Sequence, residues 1–360
     1  MHILHVVGAR PNFMKAAPVL RALSHTSGVR QTLVHTGQHY DSAMSDVFFE
    51  QLAMPRPDCN LGVGPGTHAQ QTAGIMIAIE PTLLERKPDL VLVYGDVNST
   101  VAAALVASKI GVPVAHVEAG LRSRDRSMPE EINRLLTDQL SDLLFTPSAD
   151  GNDNLLHEGI DESRIHLVGN VMIDTLVRLL PEAEKRFPAD VLWPYALVTL
   201  HRPSNVDDPA WLRELLATLA DLSEQLCVIF PVHPRTRQRL DAIGFAKFRN
   251  GRLRILEPLP YLDFLALQTR AAMVITDSGG IQEETTFLNI PCLTVRENTE
   301  RPVTVTTGTN QLVGRDLAKL RAAATQILSS GSQPHEHGHR RVALWDGHAS
   351  ERIAQIISRG

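Results

Sequence analysis

The sequence predicts an α/β protein made of two doubly wound, Rossmann-like domains that face each other across a cleft. Short apolar runs alternate with amphipathic stretches, which is the pattern of βαβ units on parallel sheets. At 360 residues the chain is long for a single hydrophobic core. The segment Pro181–Tyr195 interrupts the alternation with charged residues and prolines, so we expect the domain linker near it, crossed by a helix that begins near Val171.

The same alternation places the individual elements. In the first half, the predicted strands are Ile3–Val7, Thr32–His35, Leu90–Tyr94, Val112–Val117, Leu143–Thr146 and Ile165–Val168. The predicted helices between them are Met14–Leu23, Ala43–Leu52, Gln70–Leu84, Thr100–Ser108, Glu130–Leu140 and Asn152–Glu158. In the second half, the predicted strands are Leu197–Leu200, Val228–Phe230, Leu253–Leu256, Met273–Thr276 and Cys292–Val295. The predicted helices there are Ala210–Leu222, Tyr261–Arg270, Ile281–Leu288, Leu317–Leu328 and Ala349–Ser358.

The composition excludes several classes of partner. A net charge of -5 gives no broad basic surface, so we expect no nucleic acid partner. The cysteines Cys59, Cys227 and Cys292 lie far apart and show neither a disulfide framework nor metal-ligand spacing, which indicates a reducing compartment. No run of about 20 apolar residues occurs, and the N-terminus lacks the pattern of a signal peptide. We therefore expect a cytoplasmic protein that does not bind a membrane.

Three carboxylates are predicted at one edge of the first sheet. Asp96 and Glu118 each follow a buried strand, and Glu130 starts a helix. Because ligands bind beyond the carboxyl ends of parallel strands, these acids suggest proton transfer at a non-acidic carbon. Plainer interpretations exist: Asp96 could cap a helix, and Ser127–Glu130 fits a capping box, which is the favoured interpretation of Glu130 taken alone. Glu118 is harder to explain structurally, since a buried charge is costly without a purpose.

Two turns are candidate phosphate sites. The turn Gly8–Pro11 follows the first strand, and Arg10 and Lys15 add positive charge there. A structural turn with solvated cations is an equally good interpretation. The stretch Thr276–Glu284 contains two glycines that let backbone N–H groups approach a diphosphate.

The helix start after the second turn also carries two adjacent acids. Glu283 and Glu284 point about 100° apart on a helix, so at most one can face a ligand. A carboxylate there is well placed to accept hydrogen bonds from ribose hydroxyls, although both acids also suit the first turn of a helix.

Three further motifs have the composition of a possible binding site. His201 and Arg202 end the first strand of the second half and are reasonable diphosphate contacts, although a lone histidine is usually structural. The segment Gly62–Thr67 lacks the third glycine of a dinucleotide fingerprint, so we infer no nicotinamide cofactor. The stretch His335–His339 lies in a polar linker without an ordered fourth ligand, so we expect no metal site.

These motifs together carry a resemblance to one family. The matching positions are Gly8–Pro11, Gly95-Asp96, His116–Arg122, Pro129–Arg134, His201-Arg202, Thr276–Glu284 and Glu300–Pro302. On these residues the chain resembles the non-hydrolysing UDP-N-acetylglucosamine 2-epimerases, which have the GT-B fold. The resemblance implies a UDP-sugar substrate, no cofactor, a homodimer, and a C-terminal helix that returns to the first domain. The expected domains are then residues 1–170 with 345–360, and residues 171–344, the latter binding UDP.

The resemblance also implies roles for single residues. Asp96, Glu118 and Glu130 match the catalytic acids of the family, and His201 matches its catalytic-site histidine. The positions that match its UDP contacts are Arg10, Lys15, Ser278, Gly279, Gly280, Glu284 and Arg301, with Phe264 and the backbone near Leu259 where the uracil is held.

The implied reaction is reversible epimerisation at C2 of the sugar. No carbonyl group neighbours the C2 proton, so simple deprotonation by a carboxylate is out of reach. Expulsion of UDP from C1 makes loss of this proton feasible and gives a 2-acetamidoglucal. Return of a proton to the opposite face and re-addition of UDP give UDP-N-acetylmannosamine. Opposite faces require two acid-base groups or a reoriented intermediate, which suits a cluster of carboxylates, and crowding should raise at least one pKa.

The chain departs from the family pattern at two places, and three alternative functions stay open. At Ala73-Gly74 and Pro203–Asn205 the chain lacks charged residues of a second, activating substrate site, so we expect no activation by UDP-N-acetylglucosamine. The enzyme could act on a modified sugar such as a UDP-2,3-diacetamido uronic acid. It could be a GT-B glycosyltransferase, which would not need three carboxylates in its cleft. It could also be a non-catalytic nucleotide-binding module.

Overall fold

The computed structural model describes residues 1–38, 49–248, 251–330 and 342–359. The chain forms two compact units, Met1–Thr175 with Ala343–Gly360, and Leu176–Val342. The division lies inside the helix Val171–Lys185, which contributes to both units. Each unit contains one parallel sheet with helices, so the predicted α/β fold class is confirmed. No helix of the described residues is both long and apolar enough to cross a bilayer.

Seven strands lie among the described residues of the first unit. They are β1 (His2–Val7), β2 (Arg30–His35), β3 (Cys59–Asn60), β4 (Leu90–Tyr94), β5 (Val114–Val117), β6 (Leu143–Thr146) and β7 (Ile165–Leu167). Their order in the sheet is β3-β2-β1-β4-β5-β6-β7. The helices are α1 (Arg10–Ser24), α2 (His68–Arg86), α3 (Asn98–Lys109), α4 (Pro129–Leu140), α5 (Ala149–His157) and the shared α6 (Val171–Lys185). Strand β4 is buried along its whole length, as expected for a parallel sheet covered on both faces.

In the described part of the second unit there are six strands. They are β8 (Tyr195–Thr199), β9 (Cys227–Pro231), β10 (Leu253–Leu256), β11 (Met273–Thr276), β12 (Cys292–Thr294) and β13 (Asn310–Leu312), in the order β10-β9-β8-β11-β12-β13. The helices are α7 (Pro203–Val206), α8 (Pro209–Leu222), α9 (Pro234–Ala242), α10 (Tyr261–Thr269), α11 (Gly279–Leu288), α12 (Val303–Thr306) and α13 (Leu317–Ser329). Leu212, Leu216, Val228 and Phe230 belong to its main apolar core.

Each sheet reverses its strand order at one point. The reversals lie between β1 and β4 in the first unit, and between β8 and β11 in the second. At such a point a crevice opens beyond the carboxyl ends of two neighbouring strands, and ligands of doubly wound folds bind there. Asp96 follows β4 at the first reversal, and His201 follows β8 at the second. Both therefore lie where this fold binds its ligands.

The C-terminal helix α14 (Ala349–Ile357) belongs to the first unit. The backbone N–H groups of Ala349 and Ser350 donate to the buried carboxylate of Asp174 at 3.1 and 2.7 Å. Trp345 Nε1 donates to the carbonyl of Pro147 at 2.8 Å. An acid at a helix start satisfies N–H groups that have no partner within the helix, so Asp174 anchors the end of the chain.

Some elements carry too weak a pattern to be predicted. These are the edge strands Cys59–Asn60 and Asn310–Leu312, and the helices Pro203–Val206, Pro234–Ala242 and Val303–Thr306. The predicted helix Ala43–Leu52 lies mostly outside the described residues, and the stretch His335–His339 lies entirely outside them.

Candidate active site

Glu118 is a buried carboxylate at the carboxyl end of β5, and it pairs with the buried ammonium group of Lys15. Its backbone φ of 75° lies in the left-handed region, which is uncommon for a residue with a side chain and is often found at functional sites. Gly95 lies against this pair: a Cβ atom there would come within 2.5 Å of Lys15 Nζ and 3.5 Å of Glu118 Oε2. The strand order β1-β4-β5 thus places the acid beside a cation, and a glycine leaves room for both.

Asp96 is held by helix α4. Its Oδ2 accepts from Nε and Nη2 of Arg134 at 3.0 and 2.8 Å, and its backbone carbonyl accepts from Nδ2 of Asn133 at 2.9 Å. About a quarter of the Asp96 side chain stays exposed, which leaves the carboxylate accessible. Asn133 and Arg134 lie one helical turn after Glu130 and share its face of the helix. Helix α4 therefore brings Glu130 towards Asp96.

The capping-box interpretation of Glu130 is wrong. Helix α4 begins at Pro129 with Met128 as its N-cap residue, so Glu130 lies one position too early to reach back to the cap. The hydroxyl of Ser127 donates to Asp125 at 2.6 Å instead of capping the helix. The proline fixes the first helical position, which moves the start of the helix away from the position that the sequence suggested.

The neighbouring acid, Glu131, takes the structural position. It is buried and accepts hydrogen bonds from the backbone N–H groups of Ser123 and Arg124, both at 2.9 Å. It also pairs with Arg134. Glu130 is half-buried, and its carboxylate has no hydrogen bond or ion pair within the described residues. Adjacent acids on one helix thus have different roles, and Glu130 is the one available for chemistry.

A buried network fixes the loop that carries Glu118. Nδ1 of His116 lies 2.6 Å from Asp138, whose other oxygen lies 2.7 Å from Nη1 of Arg122. Burial alone would raise the pKa of Asp138, but His116 and Arg122 hold that pKa below its usual value. Nε2 of His116 lies 2.8 Å from the carbonyl oxygen of Gly95. The network therefore ties the end of β5 to the turn after β4.

The turn after β1 is built on Asn12. Its Oδ1 accepts from the backbone N–H groups of Gly8 and Ala9, both at 3.1 Å. Its Nδ2 donates to the carbonyl of Tyr94 at 2.7 Å. The side chain of Arg10 lies outside the described ones. Lys15, predicted to bind UDP, lies in the same helix and pairs with the acid Glu118.

In the second unit, His201 and Arg202 are both anchored on Asp277. The buried carboxylate of Asp277 lies 3.0 Å from Nδ1 of His201 and accepts from the backbone N–H of Arg202 at 2.9 Å. Nε of Arg202 donates to the Asp277 carbonyl at 3.1 Å. Asp277 lies in the candidate phosphate-binding turn Thr276–Glu284, but its own role was not predicted from the sequence.

The turn after β11 brings Ser278 and Arg301 together. Ser278 is the N-cap residue of α11, which opens with both predicted glycines. The guanidinium group of Arg301 lies close over Gly279: a Cβ atom there would come within 2.5 Å of its Nη1. Nε of Arg301 pairs with the buried Glu283 at 2.8 Å. Of the two adjacent acids, Glu283 therefore has a structural partner, and Glu284 is left to face a ligand.

Glu284 is a buried carboxylate with one oxygen in use. Its Oε1 accepts from the hydroxyl of Tyr261 at 2.9 Å, whereas Oε2 has no hydrogen bond within the described residues. Burial raises the pKa of Glu284 to about 7. Phe264 follows Tyr261 by one helical turn, and Phe264 and Leu259 are half-buried against an apolar cluster. A hydrogen-bond acceptor therefore lies near apolar side chains, as a nucleoside requires.

The predicted site residues thus form two sets, one in each unit. Asp96, Glu118 and Glu130 lie in the first, together with the predicted UDP contacts Arg10 and Lys15. His201 and the other predicted nucleotide contacts lie in the second. The described residues contain no group of three or more side chains arranged to hold a metal ion.

Comparisons with known proteins agree across the whole chain. A family model described as UDP-N-acetylglucosamine 2-epimerase matches residues 21–358. The chain is 43% identical to the UDP-N-acetylglucosamine 2-epimerase of Methanocaldococcus jannaschii, with 100% of both chains covered. It is 42% identical to the UDP-2,3-diacetamido-2,3-dideoxy-D-glucuronate 2-epimerase of Pseudomonas aeruginosa, again over 100% of both. The crystal structure of the M. jannaschii protein in complex with UDP-GlcNAc and UDP matches with a TM-score of 0.90, over 100% of both chains.

Proposed function

The chain belongs to the UDP-N-acetylglucosamine 2-epimerase family, and we propose from this premise that it interconverts UDP-N-acetylglucosamine and UDP-N-acetylmannosamine. The protein is an isomerase with a GT-B-like fold. The observation that carries the proposed mechanism is the set of three acids, with Asp96 and Glu118 just after β4 and β5 and Glu130 in the first turn of α4. Glu130 has no structural partner within the described residues.

The acids of the first unit supply the proton transfers in this proposal. One carboxylate takes the C2 proton, and the electrons of that C–H bond form the C1–C2 double bond of the glucal. The C1–O bond breaks in the same step, and the electron pair of the C1–O bond leaves with UDP. A carboxylic acid then returns a proton to the opposite face of the glucal, and UDP adds back at C1. Lys15 pairs with Glu118 and Arg134 with Asp96, so both carboxylates are held in place beside a cation.

The second unit holds the leaving group in this proposal. His201, Arg202 and Arg301 stabilise the charge that develops on the diphosphate, together with Ser278 and the N–H groups at the start of α11. The further contacts proposed for UDP are Arg10, Gly279 and Gly280 at the diphosphate, Glu284 at the ribose, and Phe264 with Leu259 at the uracil.

Conversion of UDP-N-acetylglucosamine without any added cofactor tests the function. Purified protein is incubated with the sugar nucleotide alone and followed by NMR. We expect a mixture with the manno epimer and a trace of free UDP with 2-acetamidoglucal, because the intermediate escapes occasionally. Unchanged substrate would contradict the proposal. A requirement for NAD would contradict the elimination mechanism.

A modified sugar is the second candidate substrate. The Pseudomonas relative is named for a UDP-2,3-diacetamido uronic acid and is as similar to this chain as the Methanocaldococcus relative, at 42% against 43% identity. The values of kcat/KM for the two sugar nucleotides, measured on one preparation, decide between them. A larger kcat/KM for the diacetamido sugar would replace the first assignment and leave the reaction type unchanged.

We also propose that no second molecule of substrate is needed as an activator. Ala73 carries no charge, and at Gly74 a Cβ atom would come within 3.0 Å of Val63, which leaves little room for a long side chain. Asn205 is buried and bonded to Asp277 and to the carbonyl of Val295. A hyperbolic dependence of rate on substrate supports this proposal, and a sigmoidal one contradicts it.

A homodimer is proposed from an apolar surface on the first unit. Ile77 and Leu84 on α2 and Ile132 and Leu136 on α4 are exposed, and both helices pack against α3. Exposed apolar side chains on neighbouring helices are typical of a protein interface, and a second copy of the chain is the proposed occupant. We expect a dimer mass by light scattering for the wild type and a monomer for the Ile77→Glu, Leu136→Glu double variant. A monomeric wild type would contradict the proposal.

The reaction is proposed to take place in the cytoplasm. The thiols of Cys59, Cys227 and Cys292 are all free, which fits a reducing compartment.

A further inference from the structure

Asp277 is a buried acid whose hydrogen-bond donors come from the end of β8. Its carboxylate accepts from the backbone N–H of His201 at 3.1 Å, from that of Arg202 at 2.9 Å, and from Nδ2 of Asn205 at 3.0 Å. Burial alone would raise the pKa of Asp277, but these donors and the His201 ring hold that pKa below its usual value. Asp277 is therefore ionised at neutral pH and can only accept hydrogen bonds.

The contact with the imidazole fixes the position of its proton. Nδ1 of His201 lies 3.0 Å from Oδ1 of Asp277. Because the ionised carboxylate has no proton to give, Nδ1 must carry the hydrogen, and Nε2 is the unprotonated nitrogen of the neutral ring. The His201 side chain is 54% exposed, whereas that of Asp277 is fully buried. The ring is thus anchored at Nδ1 and presents Nε2 away from the buried acid.

We propose that Asp277 is a positioning residue for the reaction: it holds Nδ1 of His201, so that the protonated ring directs Nε2–H at the diphosphate of the substrate. This inference rests on the proposed function. When the ring is protonated, Nε2–H donates to a phosphate oxygen, and the carboxylate of Asp277 balances the charge of the imidazolium. The C1–O bond breaks with its electron pair moving onto UDP, and the C2 proton moves to a carboxylate of the first unit. His201 donates a hydrogen bond in this step and loses no proton.

A purely structural role is the alternative. Asp277 also joins β11 to the segment after β8, and Asn205 extends this link to the carbonyl of Val295 at 3.0 Å. Removal of Asp277 would then lower activity by loosening the second unit, whatever the state of the imidazole. The two roles differ in the tautomer of His201 and in the coupling between the two side chains.

The tautomer can be read in the substrate-free protein by ¹⁵N NMR of histidine-labelled samples, with His201→Gln to assign the signal. In the neutral ring we expect hydrogen on Nδ1 in the wild type and a shift towards the Nε2–H form in Asp277→Asn, because an amide oriented by Asn205 and Arg202 no longer offers a charged acceptor. Asn205→Ala is the control: it removes a structural bond of Asp277 and should leave the tautomer unchanged. An Nε2–H tautomer in the wild type would overturn the proposal.

A double-mutant cycle gives the second test. His201→Gln and Asp277→Asn should each lower kcat by about 10²–10³-fold, and the double variant should lose no more than the larger single loss. Losses that multiply would indicate a structural role and overturn the proposal. The tautomer is measured without substrate, so this readout does not depend on activity. Failure of the wild type to epimerise any UDP-sugar would therefore contradict only the proposed function. An Nε2–H tautomer in an active wild type would reject only the role of Asp277.

Discussion

Glu118 in the first unit and Glu284 in the second are buried carboxylates with different partners. In the first unit, Glu118 pairs with the ammonium group of Lys15 and Asp96 with a guanidinium group. In the second unit, Glu284 accepts from the hydroxyl of Tyr261 and has no ion pair within the described residues, and burial raises its pKa to about 7. A cation keeps an acid ionised in a buried place, whereas a lone buried carboxylate tends to take up a proton. Glu118 therefore has a charged partner in place, whereas Glu284 keeps an acceptor oxygen that a ligand could complete.

The largest expected effect is that of Glu118→Gln. Loss of the carboxylate should lower kcat by about 10²–10⁴-fold, because an amide cannot accept the C2 proton. UDP affinity, measured by calorimetry, should change far less than kcat, since Lys15 is the one predicted UDP contact that pairs with Glu118. The control is Glu351→Gln, the same change at an exposed ion pair with His348, which should leave kcat unaltered. Full activity in Glu118→Gln would contradict the proposed role of Glu118 in proton transfer.

Adjacent acids on α4 give a matched pair within the first unit. Glu130→Gln should lower kcat without changing the free energy of unfolding, because Glu130 has no structural partner within the described residues. Glu131→Gln should lower the free energy of unfolding by about 3 kcal/mol, because Arg134 and two backbone N–H groups lose a charged partner. Urea denaturation and NMR assays measure the two quantities. A loss of stability in Glu130→Gln, together with unchanged stability in Glu131→Gln, would contradict the contacts described for these two acids.

A smaller effect concerns the pH dependence of Glu284. Between its ordinary pKa of 4.5 and its folded pKa of about 7, the folded protein holds a proton that the unfolded chain has lost. The free energy of unfolding should therefore fall as pH rises through this window, by at most about 1.4 kcal/mol per pH unit from this group. Glu284→Gln should remove that contribution, as denaturation at pH 5, 6 and 7 can show. An identical pH slope in both proteins would contradict it.

The same titration should affect nucleotide binding. If Glu284 accepts hydrogen bonds from both ribose hydroxyls, UDP binds its ionised form better. The affinity of the wild type for UDP should then rise with pH up to about 7 and level off above it. Glu284→Gln should bind more weakly and with less dependence on pH. 2′-Deoxy-UDP distinguishes the ribose contact from a general charge effect, since the variant should lose little further affinity for it.

The fold was predictable where strands are long and apolar. The strands Leu90–Tyr94 and Met273–Thr276 match their predicted bounds, because buried parallel strands are continuous apolar runs. The edge strands Cys59–Asn60 and Asn310–Leu312 were missed, because two or three residues with polar members carry no periodicity. The helix Glu130–Leu140 was predicted to within one residue, but its cap was misassigned to Ser127, because Pro129 takes the first helical position and Met128 is the N-cap residue.

The contacts within the site were less predictable than its residues. The pairing of Lys15 with Glu118 depends on β1, β4 and β5 being neighbours, which the order of elements along the chain does not give. The bond from His201 to Asp277 likewise joins residues 76 positions apart on adjacent strands. An acid just after one predicted strand and a histidine just after another were the available signal. Combined with the strand order of a doubly wound sheet, that signal could have identified Asp277.

Solvent hydrogen incorporation tests the central claim most directly. The protein is incubated in D2O with UDP-N-acetylglucosamine, and C2 of both epimers is followed by NMR. Proton transfer through the acids of the first unit predicts deuterium at C2 of every molecule that has epimerised, and none in Glu118→Gln. Epimerised product that keeps its original C2 hydrogen would contradict the account, because that hydrogen would never have passed to an exchanging carboxylate.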